Sequence, residues 1–113
     1  MTARLTSRMT VDALFRRVRA AGGFATVLAR GDEQAGAIIL VCADRGRPTA
    51  LLERTIDRDG LYRWTRCGPD GGESTGDRDA YLARRRARDP DLWLVELDIA
   101  DAERFAAETN ASA

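Results

Sequence analysis

Ala35-Gly36-Ala37-Ile38-Ile39-Leu40-Val41-Cys42-Ala43 passes nine positions without a charged or strongly polar side chain. Within it, Ile38, Ile39, Leu40 and Val41 follow one another with no polar alternation. A strand with one wet face alternates, so a strand apolar at every position asks for cover on both faces and a central place in its sheet. The run is about half of what a membrane-spanning helix requires. It predicts an inner β-strand.

Downstream, Arg45-Gly46-Arg47-Pro48 supplies a turn, and residues 49–56 read as the next strand. Asp59-Gly60 is a hairpin signal, because glycine accepts the positive φ of a tight turn. Residues 61–67 alternate, with Tyr62, Trp64 and Arg66 on one face and Arg63 and Thr65 on the other. Upstream, residues 24–29 form a short apolar strand, closed by Gly31-Asp32. These four strands read as an antiparallel meander. Before them, residues 10–21 predict a helix capped by Thr10, with Val11, Leu14, Phe15 and Val18 as its apolar stripe and Gly22-Gly23 as its stop.

Residues 68–76 are rich in glycine and polar side chains and read as a flexible loop. A second helix starts at Asp77 or Asp79, leans on Tyr81 and Leu82, and ends before Asp89-Pro90. Residues 92–99 are a fifth strand, with Trp93, Val95, Leu97 and Ile99 on one face and Leu92, Leu94 and Glu96 on the other. A last short helix, residues 101–108, places Phe105 on the body, and residues 109–113 read as a frayed tail. The order α-β-β-β-β-α-β-α predicts one small α+β domain, ordered over about residues 4–108. Its sheet of about five strands is mainly antiparallel, with the helices packed to one side.

A chain of 113 residues leaves no room for a second domain, and 44% hydrophobic residues suffice for a core. There is no histidine, and all 18 basic residues are arginine, balancing 18 acids. Without imidazole the chain lacks the usual proton shuttle near neutral pH and the commonest transition-metal ligand. Without lysine it forms no Schiff base and no P-loop. Ser-His-Asp and Cys-His hydrolysis are closed to it. These omissions predict a protein without cofactor or metal that leans away from enzymology. The arginines near the N-terminus are not followed by the apolar stretch of a secretory signal, so the expected compartment is the cytoplasm, with no membrane attachment.

Cys42 lies inside the apolar run and reads as a core residue. Cys67, between Arg66 and Gly68-Pro69, is a candidate thiol whose pKa a guanidinium would lower. Two cysteines without metal-ligand spacing fit a reducing compartment. The turn from Asp57 to Gly60 has a cation loop's spacing but lacks the further oxygen donors such a loop needs.

The neutral total hides a split: residues 1–30 hold six arginines and one acid, residues 89–113 one arginine and seven acids. Arg84, Arg85, Arg86 and Arg88 cover more than one helical face. With Arg63, Trp64 and Arg66 they make up the candidate binding residues, guanidinium for phosphate or carboxylate and indole for stacking. Their plainer role is to neutralise the acidic C-terminal quarter, and Trp64 and Tyr62 serve as readily in a core.

Several fragments together resemble one bacterial family: Thr2-Ala3-Arg4-Leu5, Ala21-Gly22-Gly23-Phe24, Arg30-Gly31-Asp32, Gly36-Ala37-Ile38, Glu53-Arg54, Asp57 to Gly60 with Tyr62-Arg63-Trp64, Tyr81-Leu82, Asp89 to Trp93, and Val95 to Asp98 leading to Phe105. The chain is similar over roughly residues 2–108 to the domain of unknown function 1491. The resemblance implies a small stand-alone bacterial cytosolic protein and brings no activity, cofactor or catalytic residue. The leading expectation is a non-enzymatic protein-interaction or regulatory domain, binding a protein partner or its own copy. The alternatives are an arginine-mediated binder of nucleic acid or a phosphorylated ligand, and an enzyme built on the Cys67 thiol or on carboxylates.

Overall fold

The computed structural model describes residues 5–69 and 75–112. Helix α1 (Ser7–Ala20) leads into strand β1 (Phe24–Ala29), then β2 (Ile38–Asp44), β3 (Arg47–Ile56) and β4 (Tyr62–Arg66). Helix α2 (Thr75–Arg88), strand β5 (Trp93–Asp98) and helix α3 (Ala102–Ser112) complete the chain. The five strands form one sheet in the order β1-β5-β2-β3-β4, antiparallel throughout except for the β2–β5 pair. This is a small α+β domain.

The apolar run behaves as its composition demands. Ile38, Ile39, Leu40, Val41, Cys42 and Ala43 are all buried, and β2 lies at the centre of the sheet. The four-strand meander is corrected: only β2, β3 and β4 are consecutive neighbours, while β5 inserts between β1 and β2. The physical reason is burial. Trp93, Leu94, Val95 and Leu97 of β5 are apolar on both faces, whereas β1 buries only Ala25. The two doubly covered strands take the middle, and the sparsely covered one takes an edge.

The helices do not share one side. Val11, Leu14 and Val18 of α1 and Ala102 and Ala106 of α3 close over Ile38, Leu40, Cys42, Leu52, Trp93, Val95 and Leu97. On the opposite face α2 sets Leu82 and Tyr81 over Ile39, Val41, Leu51, Leu92 and Leu94. Alternate residues of β2 and β5 feed the two layers, which is why both strands lack a polar face.

Helix α1 begins a turn earlier than its apolar stripe suggests. The cap is Thr6, whose Oγ1 accepts from the Met9 amide at 3.1 Å. Thr10 is buried inside the helix and its hydroxyl donates to the Thr6 carbonyl. Gly22, at φ +89°, ends the helix as expected. The loop expected over residues 68–76 falls mostly on residues 70–74, outside the described residues, and α2 is already under way at Thr75. Helix α3 runs on to Ser112, past residue 108 where the sequence reading ends it, and Thr109 is buried with its hydroxyl donating to the Phe105 carbonyl.

Candidate functional site

The seven candidate residues do not converge. Arg54 and Trp64 are cross-strand partners on the face covered by α1 and α3, and Trp64 packs there against the core. Arg66 reaches from β4 to Glu103 of α3 at 2.7 Å, on that same side. Arg63 faces the other way and belongs to the hairpin, where its Nε donates to Asp57 at 2.5 Å. The other Asp57 oxygen accepts the Asp59 and Leu61 amides, so this carboxylate is spent on the turn. The Arg63 hydrogen bond and those amides hold Asp57 below the usual carboxylate range.

On α2 the arginines divide. Arg85 lays both terminal nitrogens on the Glu53 carboxylate and donates to the Tyr81 hydroxyl at 2.8 Å. Arg86 donates to the carbonyls of Arg30 and Leu92. Arg78, an arginine outside the candidate set, buries Nε and Nη1 with no acceptor among the described residues. Arg84 and Arg88 are exposed and make no ion pair with a described residue. The expected neutralisation of the C-terminal acids by Arg84–Arg88 is therefore not what the fold does. Arg85 serves Glu53 of β3, while Glu103 is met by Arg66 and Glu108 by Arg17 and Arg104.

Cys67 adjoins this clamp. The Tyr81 hydroxyl bonds the Cys67 thiol, yet burial pushes that thiol up, not down as its neighbouring arginine suggested. Cys42 is fully buried and pushed up to about 12. Neither environment favours a thiolate nucleophile.

Three fragments of the family resemblance, Arg30-Gly31-Asp32, Gly36-Ala37-Ile38 and Asp89 to Trp93, gather in one knot. Asp32 donates its amide to the Asp91 carbonyl at 3.0 Å, and its own carbonyl accepts the Trp93 indole N–H at 2.7 Å. Its carboxylate caps the Gln34 and Ala35 amides. A Cβ at Gly31 or Gly36 would lie 2.2 or 2.3 Å from the Asp91 oxygen, so only glycine admits this approach. Ser7 closes the knot by donating to the Gly36 carbonyl at 2.6 Å. Every polar atom named here faces another part of the chain. The knot pins α1, the β1–β2 connection and the start of β5 together.

What the sequence reading missed is the outer edge of β1. Trp93 and Ile99 donate their amides to Ala37 and Ala43 on the β2 side, so the even-numbered residues of β5 face β1. Thr26 and Phe24 then pair with Glu96 and Asp98, and the amides and carbonyls of Ala25 and Val27 point outward. Arg19 caps one of these groups, the Ala25 carbonyl, at 3.1 Å. Around this edge Phe24 is 74% exposed, Val27 42% and Leu28 50%. The strand carries no charge. The opposite edge, β4, carries Arg63 and Arg66.

A model of the family described as "Protein of unknown function (DUF1491)" matches residues 5–107. A crystal structure of a DUF1491 family protein from Caulobacter crescentus CB15 is 35% identical, with a TM-score of 0.79, covering 90% of this chain and 94% of that one. An NMR structure of a DUF1491 family protein from the same organism is also 35% identical, with a TM-score of 0.76 over 92% and 94% of the two chains. A solution structure of protein Atu0922 from A. tumefaciens, again 35% identical, gives 0.68 over 88% and 89%. No curated protein matches the chain.

Proposed function

Because this chain belongs to the DUF1491 family, whose description names no activity, we propose a function from its own residues: a protein-interaction domain, without chemistry of its own, that takes up an extended segment of a partner along β1. The observation that supports this reading is the uncharged, apolar outer edge of β1. An exposed hydrophobic edge strand is a template for strand addition, in which main-chain hydrogen bonds give affinity and alternate side chains give selectivity. Phe24 and Leu28 offer the apolar contacts, and Val27 the outward amide and carbonyl. Two unpaired cysteines suit a reducing compartment, so we place this action in a bacterial cytoplasm. No helix among the described residues is long and apolar enough to cross a membrane.

The test compares the wild-type chain with Val27→Lys and Leu28→Lys. Both are exposed, so the variants fold, and a charge on an edge opposes strand pairing. Size-exclusion with light scattering and affinity capture should show a complex with the wild type that both variants lose. A mass of two chains identifies the partner as a second copy. A monomer that retains nothing, or a complex indifferent to both lysines, contradicts the proposal.

Arg84 and Arg88, exposed on α2 and unpaired among the described residues, favour one second reading, a phosphate-bearing ligand. It predicts binding to an oligonucleotide that falls steeply with salt and weakens when both become glutamine.

A further inference from the structure

Arg54 extends from β3 onto the face covered by α1. Its Nη1 donates to Thr10 Oγ1 at 2.8 Å and its Nη2 reaches Ser7 Oγ at 3.4 Å. The Tyr62 ring centre lies 4.2 Å from the guanidinium carbon. Hydroxyl dipoles and an aromatic face stabilise a cation but bring no negative charge. No carboxylate among the described residues pairs with Arg54. Burial lowers its pKa, and the opposing influence comes from the Tyr62 phenol and not from a carboxylate. A guanidinium held half out of water without a counter-charge is an unfinished ion pair.

Directly across the β3–β4 ladder stands Trp64. Cross-strand partners share a face with Cβ atoms about 4.5–5.5 Å apart. The Trp64 Nε1–H is shielded from solvent and finds no acceptor among the described residues. Buried indole N–H groups ordinarily have one, as Trp93 does in the Asp32 carbonyl. Among the described residues, a cation without an anion and a buried donor without an acceptor thus belong to directly paired positions of the ladder.

We propose that Arg54 and Trp64 form a binding site for a carboxylate group, walled by the Tyr62 ring. One positive charge and one neutral N–H match a monoanion with two acceptor oxygens. A phosphate dianion would need a second cation, and Arg66, the other arginine on that face of β4, is already engaged by Glu103. Arg54 is only half-buried, so the site opens to solvent on its arginine side, whereas Trp64 Nε1 is shielded. Thr10 and Ser7 each hold one terminal nitrogen of the guanidinium, so α1 positions the site. The site sits on β3 and β4, across the sheet from β1, and does not depend on strand addition there.

Two-dimensional NMR of the indole N–H resonances tests this, because the two tryptophans provide a site probe and an internal control. Trp64→Phe assigns the peaks. At constant ionic strength and pH 7, the probes are sodium acetate, a short peptide with one glutamate, its glutamine twin, inorganic phosphate and chloride. The expected result is a saturable shift of the Trp64 resonance with acetate, no shift of Trp93, and at least tenfold weaker binding in Arg54→Gln. A response to the glutamate peptide but not to its twin or to acetate also supports the site and identifies a protein side chain as the source. Equal response to phosphate or chloride overturns the carboxylate assignment. No shift with any probe overturns the site, and the wild-type titrations decide this even where Arg54→Gln fails to fold.

Discussion

Glu53 and Arg85 show what a single residue does in this molecule. Leu82 is the one buried hydrophobic that α2 contributes among its described residues, so much of its attachment to the sheet is polar. Glu53→Gln removes the charge that Arg85 covers, and we expect a loss of about 1–2 kcal/mol in urea unfolding, between the values for exposed and buried pairs. The thiols give a second expectation. In the folded protein Cys42 should resist alkylation and Cys67 should react more slowly than an unfolded thiol, while in urea both react alike. Because the folded Cys42 pKa is raised from 9.0 to about 12, stability is intact below pH 9 and declines as pH rises through that window. Alkaline unfolding of Cys42→Ala should show a shallower slope there. Asp57 works in the opposite direction: its pKa is depressed, so the hairpin contribution holds at neutral pH and goes as acid protonates it. In Asp57→Asn, that acid-dependent step should disappear from a pH titration of hairpin amide shifts.

At the scale of elements, strands and helices were legible wherever a residue pattern has a local cause. Gly22 stops α1, Gly60 turns the β3–β4 hairpin, and Ile38 to Val41 mark a doubly covered strand. The order of strands was not legible, since nothing local in Phe24–Ala29 tells an edge strand from an inner one. That distinction arises only when Trp93–Asp98, distant in sequence, claims the place beside β2. The start of α1 was misread for a similar reason. Ser7 and Thr10 are polar, and only the Gly36 carbonyl and Arg54 that they meet make their burial favourable. The Asp32 knot makes a prediction of this scale: Gly36→Ala forces a Cβ against the Asp91 carbonyl and should destabilise the fold by about 1–3 kcal/mol, measured by thermal unfolding.

Across the whole molecule, the charge split along the chain is bridged in part by internal ion pairs. Arg17 of α1 meets Glu108 of α3, and Arg66 of β4 meets Glu103, so basic and acidic stretches join two helices and the sheet. The opposite ends thereby lose part of their pull on outside partners. The candidate arginines illustrate the limit of composition: it counts guanidinium groups, but the sheet sends Trp64 and Arg66 to one face and Arg63 to the other, where Arg85 of α2 reaches Glu53. Leu40→Ala, at the centre of the sheet, should cost about 2–5 kcal/mol in denaturant unfolding.

Strand addition at β1 is tested most directly by placing a photo-crosslinking residue at position 28 and, as a matched control on the opposite edge, at position 63, and irradiating living cells. Strand addition there gives a discrete adduct from position 28 that Val27→Lys removes, and none from position 63. Adducts of equal yield from both edges, or from position 63 alone, would contradict it.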